Sequence, residues 1–564
     1  VPITKPERLY LALALAVTLA AYARAPGSGW VWDDRHAIEN GRLIGSLANI
    51  PEVFAHDSAW NSYRNGLGNA AIDTYRPLPM VTLMLDHSLW GKRPAGFHVT
   101  SVLLHLLNVL LVWSIGRQLG LSPRASGWAA ALFGVHPAIS EAVHWVSARY
   151  DVVCLLCFLG ALRLWLPLLS GAALSVTRLL AVALLALGAG LSKEAAFLLA
   201  PSLFFLGRGH DLSRSRAAAL ASPWLTGLGL AFVCRLAALQ RPAVGEGMGQ
   251  FLRASSRLPA LIWDGFTSLL LPAARLVMNL QRVYGQLSWP HLLGTVAALL
   301  ILAGAALWRW RRGRGLDAWA LGTLVCAMAP VALLVSHPNW SGWGRYLYPV
   351  APAFCLTVAA AVLDELAPRF PLRADRWLGA AAVAMCILCA AQTFAATSIW
   401  RSHLSFHLAQ IESDATAWEG YYGTSLELNR LGRYEDALPY AEQCRRIAPE
   451  QAGCWMVLGN ARSALGRTSE AVAALRKSLA LDPAQHQARF VLGYIMLKEG
   501  LPVEAAHLIV DALAGEPDHE GRWQFVGQAV RGLGPASPFV ATLRAAVTSG
   551  RYPGIAGRLD SLTR

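Results

Sequence analysis

Two adjacent carboxylates, Asp33 and Asp34, follow Trp30 and Trp32 in the stretch GWVWDDRHAIEN, directly after the first strongly apolar segment. A charge at the edge of a membrane is costly and therefore points to function, and a carboxylate held there has the chemistry to take a proton from a hydroxyl. Adjacent carboxylates suppress each other's ionisation, yet sequence neighbours need not point the same way. Asp34 is slightly preferred for the inward role, and an Asp ahead of RHAI also has the type of an N-cap. Further groups recur at the ends of other apolar runs. His98, Ser101, His105 and Asn108, spaced by three, four and three, share one face of a helix. FGVHPAISEAVHWVSARYDVV contributes His136, Glu141, His144, Arg149 and Asp151; GLSKEAAF contributes Lys193 and Glu194; WSGWGRYLYP contributes Arg345 and Tyr346. Carboxylates mixed with Arg and Lys at one membrane face suit a lipid-linked phosphate held by cations while an Asp accepts the hydroxyl proton. Ion pairing and interhelical hydrogen bonding are the structural alternatives for each group. Glu141, His144 and nearby His136 have the types of metal ligands, but so short a combination arises often by chance, and no metal is expected.

The elements that must position these groups are membrane spans. The chain has 564 residues, 55% apolar and 15% charged, with a mean hydropathy of +0.40; this is too oily for an ordinary soluble globule. Apolar runs long enough to cross a bilayer begin near residues 9, 98, 124, 152, 178, 194, 216, 291, 316, 346 and 377, which predicts about eleven spans. The net charge of +14 does not indicate nucleic acid, because the arginines sit in short connectors such as RWRRGR, residues 309–314. Those connectors share one side if the chain starts in the cytoplasm, as Lys5 and Arg8 favour. Residues 24–97, the 136–151 loop, residues 240–290, residues 336–345 and everything after 398 then lie on the opposite, exoplasmic face. Residues 258–280 are apolar enough to cross but would misplace the RWRRGR run, so a re-entrant or surface-lying helix is expected there. The first apolar run reads as a retained anchor. Cys154 with Cys157 and Cys386 with Cys389 read as small helix residues, whereas Cys444 and Cys454 have the setting for a disulfide.

Between the first two spans, residues 26–97 form an unusually long connector carrying His36, Asn40, His56, Asp57, Asp73, Arg76 and Asp86; its segments IPEVFA and PLPMVTLMLDHSLW read as surface helices. After residue 398 the composition changes and repeats. Gly432, Gly466 and Gly500 are each 34 apart, as are Ala437, Ala471 and Ala505, and Pro449, Pro483 and Pro517. This is the tetratricopeptide period of two antiparallel helices per unit. Repeats are expected at 416–449, 450–483 and 484–517, followed by a cap, in a domain 398–564 distinct from the membrane domain 1–397. Such arrays commonly hold an extended peptide, although a purely structural or oligomerising role is also open.

At these residues the chain resembles a known family. WDDRHAIEN, TYRPLPMVTLMLD, FHVTSVLLHLLNVLLV, LFGVHPAISEAVHWVSAR, LSKEAA and GRYLYP occur in the order found in the transmembrane and tetratricopeptide-repeat-containing O-mannosyltransferases, and more distantly in GT-C glycosyltransferases. The resemblance implies an all-α fold, a GT-C-like membrane domain followed by a repeat solenoid. It implies inverting transfer of a sugar, mannose or another hexose, from a polyprenyl-phosphate carrier to Ser or Thr of exported proteins, with the repeats presenting the acceptor and no cofactor required. Asp33 or Asp34 would be the base; Lys193, Arg345, Tyr346 and Arg149 would hold the donor phosphate; Arg76, His98, His105, His136, Glu141 and Glu194 would complete the pocket. One departure is SARYD, where Tyr150 is inserted between Arg149 and Asp151. The composition suits a bacterial member, which would put the site and the repeats in the periplasm. A glycolipid or cell-wall acceptor, or a noncatalytic scaffold, remains an alternative at this stage.

Overall fold

A computed structural model describes residues 4–41, 43–57, 74–207, 212–239, 248–271, 289–334, 344–370, 372–517 and 519–563. Asp73 and the side chain of His36 lie outside the described residues, as do residues 272–280 of the run expected to be re-entrant. The protein is all-α, with no strand among the described residues. Two compact units result, one ending at Ser402 and the other starting at His403.

Among the described residues of the first unit, seven helical segments are long and apolar enough to cross a membrane, including Lys5–Gly27, Pro94–Gln118, Val146–Leu169 and Arg376–Arg401. Four shorter apolar helices, Val176–Gly190, Ala195–Gly207, Leu258–Leu270 and Gly315–Met328, accompany them. The chain is a multi-pass membrane protein. Its first helix starts with Thr4 and Glu7 in a reciprocal capping box and Pro6 in the first turn, which satisfies donors that a helix start otherwise leaves open. Glu7 also pairs with Arg117 at 3.0 Å, tying the start of one long helix to the end of another. Residues 258–270 belong to a helix, Met248–Leu270, packed against Trp289–Arg311 and Gly315–Leu334.

Helix starts and stops explain how the loops come to carry function. Pro123–Val135 runs only thirteen residues, because Ser122 caps it at one end and His136 with Pro137 ends it at the other. The chain then turns through Pro137–Ile139, Glu141–His144 and Val146–Ala148 before the long helix Arg149–Leu169. In the long first loop, Ile50–Ala55 and Pro77–Trp90 are both helical.

The second unit repeats helix pairs: Trp418–Arg430 with Tyr434–Ile447, Ala452–Ala464 with Thr468–Leu481, and His486–Lys498 with Pro502–Gly515. Gly432, Gly466 and Gly500 close the turns at φ 73°, 75° and 78°, a conformation that costs residues with a Cβ. The piece expected as a simple cap continues the pattern. Gly534, another 34 residues on, has φ 78° with ψ 164° and is itself the C-cap of Glu520–Leu533, so the turn differs from the earlier ones; Pro538–Thr548 and Pro553–Thr563 follow. A second period supports this: Tyr421, Trp455, Arg489 and Trp523, each 34 apart, all donate to the carbonyl six residues earlier. Cys444 and Cys454 form a disulfide, while Cys154, Cys157, Cys386 and Cys389 are free. If Gly534 is a true repeat turn, Gly534→Ala and Gly500→Ala should each destabilise their helix pair by about 1–2 kcal/mol. Hydrogen exchange on the full chain would register this as lost protection in the flanking helices; an unaffected Gly534→Ala protein would return this segment to a simple cap.

Candidate functional site

The two carboxylates part ways. Asp33 is exposed, whereas Asp34 is buried at 1% exposure. The cause is a tight turn in which the Asp34 amide donates to the Val31 carbonyl at 3.0 Å and the Val31 amide donates back to Asp34 Oδ2 at 3.2 Å. Asp34 Oδ1 accepts the Ser147 amide at 2.7 Å and the Ser147 hydroxyl at 2.5 Å. Asp34 therefore does not cap the following helical turn Arg35–Glu39; its side chain makes no bond there. Burial pushes its pKa up to about 7, with the Ser147 and Val31 hydrogen bonds opposing that rise. A carboxyl tuned into this range exchanges protons near neutrality, as a general base requires.

Trp32, inside that turn, is the one described non-glycine residue with positive φ, at 53°. Left-handed backbone costs a residue with a Cβ about 1–2 kcal/mol, and such strain persists where surrounding contacts hold it. Here the Trp32 ring stacks on Trp145, with centroids 4.9 Å apart and planes 18° apart, and Trp145 stacks in turn on Trp400 at 6.3 Å. Trp145 is two residues before Ser147, so the stack joins the same two segments that the Asp34 carboxylate joins.

A cation cluster begins on this stack. The Arg345 guanidinium lies 4.7 Å from the Trp145 ring centre and 6.0 Å from that of Trp32. Glu141 positions it, accepting from Arg345 at 3.2 Å and from the Gly344 amide at 2.9 Å. Arg345 also donates to the Tyr346 hydroxyl at 3.3 Å. Lys193 stands 4.9 Å from the Tyr346 ring and 5.1 Å from the Tyr150 ring, and pairs with Asp151. Arg76 lies 4.4 Å from the same Tyr150 ring and pairs with Glu194 at 2.8 Å, while Arg235 pairs with Glu194 at 2.6 Å. Four cations thus share Glu141, Asp151 and Glu194, leaving an excess of positive charge suited to a phosphate. The inserted Tyr150, whose alignment was ambiguous in the sequence, touches both Arg76 and Lys193.

Other expected site residues are bonded within the fold, away from the contacts of this cluster. Arg149 is not arranged as a phosphate ligand: it pairs with buried Asp86 at 2.6 Å and donates to Phe97 O at 2.6 Å, Ser101 Oγ at 3.2 Å and Thr82 O at 3.4 Å. His98 meets the Gly29 carbonyl at 3.3 Å, and His105 bridges the Gly134 carbonyl at 3.0 Å and the Tyr348 hydroxyl at 2.7 Å. Asn108 donates to the Val152 carbonyl and to Tyr348, each at 3.1 Å. The polar face of this helix therefore bonds to backbone and side chains of neighbouring segments, at Gly29, Gly134, Val152 and Tyr348. His136 meets Leu269 O at 2.9 Å and accepts from the Ala138 amide at 3.3 Å, and burial holds it down to about 4, hence neutral. His144 meets Ser140 O and Thr397 Oγ1, each at 3.0 Å. Among the described residues, no three His, Cys, Asp or Glu side chains are grouped to hold a metal ion. Sequence reasoning had missed Ser147, Trp145 and the Asp86–Arg149 pair; Ser147 carried a faint signal in lying within the same short motif as Arg149.

Comparison with known proteins adds two findings. A tetratricopeptide repeat model matches residues 452–485. The chain is 36% identical over 158 residues to Protein O-mannosyl-transferase TMTC4 of Homo sapiens, covering 26% of this chain and 21% of that protein. It is 33% identical over 154 residues to Protein O-mannosyl-transferase Tmtc1 of Drosophila melanogaster, covering 27% and 17%. A longer alignment, 24% identical over 549 residues, covers 82% of this chain and 58% of Protein O-mannosyl-transferase Tmtc3 of Drosophila melanogaster. The chain spans less than two thirds of the length of each of these relatives. It is a multi-pass, tetratricopeptide-bearing protein that resembles the transmembrane and tetratricopeptide-repeat-containing protein O-mannosyltransferases.

Proposed function

We propose that this protein is a membrane glycosyltransferase that moves a sugar, mannose or another hexose, from a polyprenyl phosphate to a Ser or Thr hydroxyl of a polypeptide held by the tetratricopeptide unit. The observation that carries the reading is a buried carboxylate, Asp34, joined through the Trp32–Trp145 stack to a cluster of Arg345, Lys193 and Arg76. The names of the relatives support the same reaction class.

In this mechanism the acceptor oxygen attacks the anomeric carbon while Asp34 takes the hydroxyl proton. The carbon–oxygen bond to the phosphate breaks, its electron pair leaves with the polyprenyl phosphate, and the configuration inverts. Arg345 and Lys193 neutralise the charge that develops on the leaving phosphate; Arg76 and Tyr150 support them, and Glu141 and Glu194 orient the guanidinium groups. No metal or cofactor is needed for such a leaving group. The site and the repeats are assigned to the exoplasmic face, the bacterial periplasm, on the arginine distribution of the connectors.

The test offers the purified full chain a panel of polyprenyl-phosphate sugars with a Ser/Thr-rich peptide and reads both donor turnover and peptide mass. Mannosylated or hexosylated peptide is expected. Donor turnover that labels only lipid would move the acceptor to a glycolipid, and no turnover of any donor would leave the scaffold reading.

A further inference from the structure

We propose that Trp32 is a positioning residue, whose indole, stacked on Trp145, holds the Val31–Asp34 turn closed and so sets the Asp34 carboxylate relative to the Arg345 guanidinium. This deepens the reading of Asp34 as the base and rests on it.

Three observations converge. Trp32 takes a left-handed backbone at φ 53°, one that glycine would adopt without penalty, so the residue type is explained by what its ring does. That ring is parallel to Trp145 within 18° at 4.9 Å. Both halves of the proposed chemistry attach to this stack. Asp34 is two residues after Trp32 and is gripped by Ser147, two residues after Trp145, while Arg345 lies over Trp145 at 4.7 Å and near Trp32 at 6.0 Å. The closing bonds of the turn, Asp34 amide to Val31 carbonyl and Val31 amide to Asp34 carboxylate, bracket Trp32. Rotation of the Trp32 backbone toward ordinary φ values would swing the Asp34 carboxylate off Ser147. The stack thus serves as a spacer between proton acceptor and phosphate cation, and catalysis is sensitive to errors of that kind.

The test compares Trp32→Gly, Trp32→Ala and Trp32→Phe with wild type and Asp34→Asn, all as full-length protein in lipid nanodiscs, with polyprenyl-phosphate mannose as donor. Thermal unfolding checks folding. Trp32→Gly, relieved of the backbone penalty, is expected to unfold no earlier than Trp32→Ala and yet to transfer as poorly. Both should lose at least tenfold in kcat with donor KM within threefold of wild type, and Trp32→Phe should recover most of the rate. Infrared titration of the carboxyl band that Asp34→Asn removes should give a shifted midpoint in Trp32→Gly and Trp32→Ala. An inactive Asp34→Asn together with wild-type kcat and an unmoved carboxyl midpoint in both variants would overturn the spacer while leaving the base in place. A fully active Asp34→Asn would overturn the base, and the spacer with it.

Discussion

Asp34→Asn is expected to lower sugar transfer by about 10²–10⁴-fold, the usual contribution of a general base, while Asp33→Asn loses less than tenfold. The two residues are neighbours of one type, so the contrast isolates placement. Asp34 is buried, with both oxygens held by Val31 and Ser147, whereas Asp33 is exposed. A buried carboxyl with a pKa raised to about 7 also fixes the pH profile. Only the ionised form accepts a proton, so activity should be flat above about 7 and fall tenfold per pH unit below it. Removing the Ser147 hydroxyl takes away a bond to the ionised form. Ser147→Ala should therefore move the limb to higher pH, with the rate restored on the alkaline side. Asn at position 34 keeps the shape but accepts at one oxygen only, so its amide nitrogen faces either the Val31 or the Ser147 N–H; with no basic oxygen, its residual rate should be independent of pH through this range. Initial rates of peptide mannosylation between pH 5 and 9 would decide the matter: a dead Asp33→Asn with an active Asp34→Asn reverses the assignment.

What could be read from the chain depended on whether the signal was periodic or depended on chain crossing. Helical runs and the 34-residue repeat are local patterns, and Gly432, Gly466 and Gly500 announced their turns because a left-handed corner favours glycine. Gly534 obeys the same spacing but was hidden, since neither the alanine nor the proline of the earlier repeats recurs with it. The grouping of His98, Ser101, His105 and Asn108 on one face was legible, but spacing alone does not distinguish a pocket lining from a ladder of interhelical bonds. The partners come from other parts of the chain: Gly29, Gly134, Val152 and Tyr348 stand opposite. Pairs such as Asp34 with Ser147 and Glu141 with Arg345 are separated by 113 and 204 residues. No residue pattern indicates which loops meet at such distances. Tyr150 is instructive in the opposite sense: it departs from the motif it interrupts, yet its ring is shared by Arg76 and Lys193.

The largest stability effect should come from Asp86. Its carboxylate, in the helix Pro77–Trp90, pairs with Arg149 at 2.6 Å and accepts the Thr100 hydroxyl at 2.7 Å, with both charged side chains at most 3% exposed. Asp86→Ala leaves the Arg149 guanidinium buried without its counter-ion, and breaking such a pair costs about 3–5 kcal/mol. The variant is expected to accumulate poorly in membranes and to unfold at markedly lower temperature. Replacing both partners, as in Asp86→Leu with Arg149→Met, removes the two desolvated charges together and should regain most of that stability. The double variant also tests whether Arg149 holds the donor phosphate or only braces the fold. Arg149 spends its donors on Phe97, Ser101, Thr82 and Asp86, so a brace that has been replaced by packed apolar groups should leave donor KM near wild type. Arg345→Met with Glu141→Leu is the matched control, a second buried pair at 3.2 Å but one lying on the Trp145 ring beside Tyr346. Its stability should recover in the same way while transfer does not, because in the proposed mechanism that guanidinium is the one that neutralises the leaving phosphate. Loss of donor binding in a stably folded Asp86→Leu, Arg149→Met protein would return Arg149 to the site.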